Sequence, residues 1–220
     1  MDIVFRLAAR TGRMIDTDAV LLPASHTLTP DIAMNRAAGG DVFWVTGLSG
    51  AGKTTVATIL RDRLVAAGRC CVLLDGDVLR AVLGAEGEHS PEARHRLAFT
   101  YARLCRELAG QGLCVVCATI SMFHDVRRWN RESIPGYHEI YLRVPEDERI
   151  RRDAKGLYAQ AAAGRLTDMI GVHHVPELPD SPDLVIDNVA PTTPHTAVDA
   201  IATRFFVRQA GEQAGRDADV

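Results

Sequence analysis

Val42-Phe43-Trp44-Val45, then Gly47-Leu48-Ser49-Gly50-Ala51-Gly52-Lys53-Thr54, then a helical stretch from Thr54 to Ala67 with apolar Val56, Ile59, Leu60 and Leu64, follow one another closely. The octapeptide fits the phosphate-binding pattern G-x-x-x-x-G-K-[ST]. The apolar run before it reads as a buried strand, and the stretch after it as a helix. A strand, a glycine-rich turn and a helix N-terminus point several backbone N–H groups at one place, which makes a preformed anion site. In this reading Gly47, Ser49, Gly50, Ala51, Gly52, Lys53, Thr54 and Thr55 form the cradle. Lys53 adds a positive charge on the outer phosphates, and the Thr54 hydroxyl is placed to hold Mg²⁺.

Working outward, the remaining chain alternates strand and helix. Cys71 to Leu74 reads as a strand ending at Asp75-Gly76-Asp77, and Pro91 to Gln111 as a helix with Pro91 in its first turn. Leu113 to Ala118 is a third strand running into Thr119-Ile120-Ser121. Tyr137 to Val144 is a fourth, residues 146–163 a helix, 168–182 a mobile loop, Leu184 to Ile186 a fifth strand and His195 to Gln209 a terminal helix. Such alternation predicts a mainly parallel five-stranded sheet covered on both faces, the three-layer α/β/α arrangement of P-loop proteins. Ligands in these folds sit beyond the carboxyl ends of the strands. The chemistry is therefore expected at 47–54, 75–80, 119–124 and 152–180.

Composition bounds the class. The chain has 220 residues, 47% hydrophobic and 24% charged, with a formal net charge of −3. That is enough apolar material for one full core, and it carries no broad basic footprint for nucleic acid or membrane. No stretch approaches roughly 20 apolar residues, and residues 1–40 lack a secretory pattern. Five cysteines, an odd number, read as buried reduced thiols of a cytoplasmic protein. Cys114 and Cys117 would point to opposite faces of their strand, against a redox or zinc role. The expected organisation is an extension over 1–40, a single P-loop domain over 41–210 and a frayed tail over 211–220.

A phosphate loop is shared by ATPases, GTPases and small-molecule kinases. No N-K-x-D guanine-reading motif is present. The other segments are more specific: Leu74-Asp75-Gly76-Asp77 with Arg80, Ile120-Ser121-Met122-Phe123, Arg152-Asp153-Ala154-Lys155-Gly156-Leu157-Tyr158, and Pro179 to Leu184. With the phosphate loop, in this order and spacing over about 41–190, they resemble the adenylylsulfate kinase family. That family phosphorylates the ribose 3′-hydroxyl of adenylyl sulfate with ATP and Mg²⁺.

The resemblance implies roles residue by residue. Lys53, Asp77 and Lys155 would be catalytic, with Thr54 and Asp77 at the metal and Arg152 packed on the ATP adenine. Arg80 and Arg94 would hold the anionic part of the acceptor, beside Leu97, Ile120 and Ser121. Lys155, Gly156 and Leu157 belong to a lid that closes over both substrates. Departures gather on the acceptor side. His89 and Met169 stand where the family has the two phenylalanines that sandwich the acceptor adenine, and Leu97 stands where it has asparagine. Base stacking contributes on the order of 1–3 kcal/mol per base, so both losses bear on acceptor choice. Ile120 to Phe123, Asn130-Arg131 and Glu139-Ile140-Tyr141 are similar to a branch of kinases that act on cytidine diphosphoramidate for surface polysaccharides. Both acceptors stay open, as do a homodimer and a non-catalytic nucleotide-binding regulatory module.

Overall fold

The computed structural model describes residues 40–206 apart from His89, Ala154 and Thr167. The expected extension (except Gly40), the tail and the acceptor-side call on His89 lie outside the described residues.

Within the described residues the strands are β1 (Val42–Thr46), β2 (Cys71–Asp75), β3 (Cys114–Thr119), β4 (Tyr137–Arg143) and β5 (Leu184–Asp187). They form one sheet in the order β2-β3-β1-β4-β5, and every pairing is parallel. The helices are α1 (Lys53–Ala66), α2 (Gly76–Val82), α3 (Pro91–Gly110), α4 (His124–Ser133), α5 (Glu146–Arg152), α6 (Leu157–Ala162) and α7 (Pro194–Phe205). This is the expected three-layer architecture.

Alternation along the strands divides the core into two. On one face Phe43, Val45, Val116, Ile140 and Leu142 pack against Leu60 and Leu64 of α1 and Val198 and Ile201 of α7. On the other, Val42, Trp44, Val115 and Cys117 pack against Ala98, Tyr101 and Cys105 of α3 and Val126 of α4. Cys114 and Cys117 fall in opposite layers, as strand geometry requires. All five cysteines are free. Cys105, Cys114 and Cys117 are buried, but Cys70 is exposed and Cys71 half-buried, because they open the edge strand β2 rather than a central one.

Three elements differ from the sequence reading. The helix expected over 146–163 is two helices. The Asp153 carboxylate accepts from the N–H groups of Tyr158 and Ala159, each at 3.0 Å, and so restarts the helix. Gly156, at φ 64°, supplies the left-handed turn between the two. Gly76 and Asp77, expected at the end of β2, instead open α2, because the Asp75 side chain caps it through the Asp77 N–H. α4 was also missed. It buries Arg127 and Asn130 beside Val126, so its inward face does not read as apolar.

The segment 168–182 has little regular structure, with one bridge between Ile170 and His174. It is nevertheless tied to the polar face of α4. Arg127 donates to the Leu178 carbonyl at 3.1 Å, Arg131 to Ser181 O at 3.2 Å, and the His124 N–H to the Glu177 carboxylate. Beneath these contacts the buried Arg127 and Glu139 pair at 3.3 Å.

Candidate active site

β1 ends in the interior, so the turn after it starts from a rigid base. Gly52 occupies the cap position of α1 at φ 86°, and no side chain caps that end. The first N–H groups of a 14-residue helix are thereby directed into the space above the sheet. Gly47 is buried in the turn, where a Cβ would meet the Leu142 carbonyl oxygen at 2.8 Å. Ala51 is buried beneath the loop.

A cavity of about 940 Å³ opens over this turn and runs along the carboxyl edge of the sheet. It is lined by Ser49, Gly50, Gly52, Lys53, Thr54, Thr55 and Arg152, and also by Arg80, Arg94, Leu97, Ile120, Ser121, Leu157 and Met169. Asp77 and Lys155 also line it. Gly47, Ala51 and Gly156 support the walls rather than line them. The structure thus brings together sequence segments separated by more than a hundred residues.

Lys53 donates from Nζ to the Leu48 carbonyl at 3.0 Å. Burial drives its pKa down to about 8, more strongly than the nearby Asp77 and Asp75 carboxylates restore it, while Lys155 pushes the same way as burial. Thr54 Oγ1 donates to Asp75 Oδ2 at 2.7 Å, and Asp75 Oδ1 accepts from the Asp77 N–H at 2.9 Å. Lys155 Nζ donates directly to the Asp77 carboxylate. Partial burial pulls the Asp77 carboxyl up, but Lys155, Lys53 and Arg80 outweigh it and hold the group below its ordinary range.

Arg80 donates to the Glu88 carbonyl at 2.6 Å and Arg94 to the Asp168 carbonyl at 2.8 Å. Arg94 therefore reaches the segment that carries Met169. Met169 is itself buried, and its N–H donates to His173 Nδ1 at 3.2 Å. Leu97 sits in the α3 face of the core with its edge at the cavity. Arg152 donates to the Asn188 carbonyl at 2.7 Å and to Glu148 at 2.8 Å. Tyr158 is buried and donates to the Ser49 carbonyl at 3.1 Å, which fastens the start of α6 to the phosphate loop.

The family model for adenylylsulphate kinase matches residues 39–187, well over half of the chain. The chain belongs to the adenylylsulfate kinase family. The adenylyl-sulfate kinase of Paraburkholderia xenovorans is 42% identical over 152 residues, 69% of this chain and 85% of that one. The cytidine diphosphoramidate kinase of Campylobacter jejuni is 37% identical over 147 residues, 67% of this chain and 85% of that one. Among solved structures, the Mycobacterium tuberculosis APS kinase CysC in complex with AMPPNP and APS superposes with a TM-score of 0.70 at 30% identity, covering 76% of this chain and 98% of its own. Family membership makes this chain a kinase.

Several residues at this kinase's cavity were not singled out from sequence. Asp75, quoted in the Leu74-to-Arg80 motif without a role of its own, joins Thr54 to Asp77. Tyr101, Phe123 and Asn188 also line the cavity. Asn188 follows β5, so the rule that ligands lie beyond strand carboxyl ends would have found it. Phe123 lies in the 119–124 segment beyond β3 where the chemistry is expected, whereas Tyr101, inside α3, carries no such signal.

Proposed function

We propose that the chain transfers the γ-phosphoryl group of ATP to the ribose 3′-hydroxyl of a nucleotide that carries a small activated anion. The observation that supports this reading is the Lys155–Asp77 pair. It stands in the cavity that the phosphate loop, Arg80 and Arg94 also line.

The donor phosphates lie on the α1 N-terminus and Lys53, with Arg152 against the base. Thr54 Oγ1 and the carboxylates of Asp75 and Asp77 form an oxygen-rich group with two acidic side chains. That donor set suits Mg²⁺, which takes one or two carboxylates together with substrate phosphates. Thr54 and Asp77 would hold the ion, with Asp75 orienting both, and when bound it neutralises charge on the phosphates. Asp77, ionised and paired with Lys155, is a weak base. Its role is to align the acceptor hydroxyl and take its proton late. A loose phosphoryl-transfer transition state demands alignment and charge neutralisation more than early proton removal. Lys155 lies beside the reacting groups, and the 154–178 segment closes over them to keep water out.

For the acceptor, the family and the 42% identical relative favour adenylyl sulfate. A cytidine diphosphoramidate-type nucleotide is favoured by a different observation. Met169 lines the cavity at the position where the family resemblance implies an aromatic ring under a purine, and a smaller pyrimidine needs less stacking surface. His89 is assigned to the acceptor side from sequence. Five free thiols suit a reducing cytoplasm.

The test is ADP release with each acceptor in turn, kcat/KM being compared and the phosphorylated position read by phosphorus NMR. Turnover of neither nucleotide, with ATP still bound, would favour a regulatory nucleotide-binding module instead. A strong preference for adenylyl sulfate would show that His89 and Met169 are tolerated variations.

A further inference from the structure

Asn188, directly after β5, is 5% exposed and makes contacts on three sides. Its N–H donates to the Arg143 carbonyl at 3.0 Å, extending the β4–β5 ladder. Its side-chain Nδ2 donates to the Ala51 carbonyl at 2.8 Å across 137 residues of sequence. Its own carbonyl accepts from Arg152 Nη2 at 2.7 Å, while Arg152 Nη1 reaches Gly50 O at 3.4 Å.

The phosphate loop needs this support for a chemical reason. The Ala51 N–H is used within the turn, donating to the Leu48 carbonyl at 3.1 Å, and the buried Ala51 carbonyl needs a donor of its own. Asn188 supplies that donor from a rigid strand end. The fit is close: a Cβ on Gly52 would stand 2.7 Å from Asn188 Nδ2. The amide thus occupies the space that glycine leaves free.

We propose that Asn188 is a positioning residue for the ATP site. It sets the phosphate loop through Ala51 and, through its carbonyl, sets the guanidinium of Arg152 on the base side. One residue thereby fixes the distance between the phosphate cradle and the base-side arginine. The proposal rests on the donor-site reading above and does not depend on which acceptor is used.

Two variants test it, Asn188→Ala, which removes the donor, and Asn188→Asp, which keeps the shape but places an acceptor-only group against the Ala51 carbonyl. The Kd for ADP is measured by calorimetry well below each variant's melting temperature, with KM for ATP and for the acceptor in parallel. ADP affinity needs no acceptor, so a wrong acceptor assignment leaves this readout intact. Asn188→Ala is expected to weaken ADP binding by about tenfold, the loss of one buried hydrogen bond, and Asn188→Asp by more. KM for ATP should rise with it, and KM for the acceptor should stay within about twofold, as for a uniformly lost donor interaction. ADP affinity and ATP KM within twofold of the unmodified protein in both variants would overturn the proposal. So would an equal rise in both KM values, or failure of both variants to fold, since each makes Asn188 a residue of the fold alone.

Discussion

Lys155 and Asp77, 78 residues apart, make a direct ion pair at the cavity between α2 and the turn preceding α6. Each side chain is more than half exposed. Exposed ion pairs of this kind contribute little to stability. What the pair does is place a cation and a carboxylate side by side in the cavity that the phosphate loop and Arg80 also line. The carboxylate stays ionised, because Lys155, Lys53 and Arg80 surround it.

Asp77→Asn is therefore expected to lower kcat by roughly 10²–10⁴-fold while ADP affinity stays near its original value. Lys155→Ala should lower kcat as well. Because the two side chains touch, the double variant should lose less than the product of the single losses. Steady-state kinetics of the four proteins measures this coupling. A loss confined to ATP affinity in Asp77→Asn would move Asp77 to the donor side.

Lys53→Ala should reduce turnover by about 10²–10³-fold or more, with circular dichroism and melting temperature near those of the unmodified protein. Normal activity in a folded Lys53→Ala protein would remove the phosphate loop from the mechanism.

The depressed pKa of Lys53, about 8, has a measurable consequence. In the free protein the amine begins to lose its proton as pH rises through 8. Bound phosphates favour the ammonium form, so nucleotide binding at pH 8.5 should take up protons, while binding near pH 6.5 should not. Calorimetry in buffers of different ionisation enthalpy reads this number directly, and the uptake should vanish in Lys53→Met. The sign for folding follows from linkage. Lys53 binds its proton less tightly folded than unfolded, so its contribution to stability rises with pH between about 8 and 10.5 and is unfavourable below that window.

Arg127 and Glu139 are both almost completely buried, and burial raises the Glu139 carboxyl despite Arg127 and Arg131. Removing Arg127 leaves the buried Glu139 carboxylate with the half-exposed Arg131, at 3.2 Å, in place of its buried partner. Arg127→Met is expected to cost about 3–5 kcal/mol in urea unfolding. It should also loosen residues 177–183, whose tether to α4 it breaks. Hydrogen exchange there should quicken more than in the central strands.

Closure of the 154–178 segment predicts slower hydrogen exchange in that segment when ADP and acceptor are both present. Exchange that is equal with and without ligands would count against a lid.

The architecture and the phosphate-loop turn were legible from residues alone, because both depend on local chemistry. Alternating apolar strands and helices specify a parallel sheet. A glycine-rich turn between strand and helix makes an anion site wherever it occurs, and Lys53 and Thr54 follow from its spacing, whereas Arg152 is named only by the family resemblance. Local reading also misled where a side chain interacts over distance. The Asp153 carboxylate ends one helix and starts another inside a single helical pattern, and α4 hides buried polar groups behind a charged sequence. Contacts such as Asn188 with Ala51, or Lys155 with Asp77, join positions that no periodicity relates. Only the crossover connections of the sheet, which carry every strand's carboxyl end to one edge, bring those groups within hydrogen-bond reach.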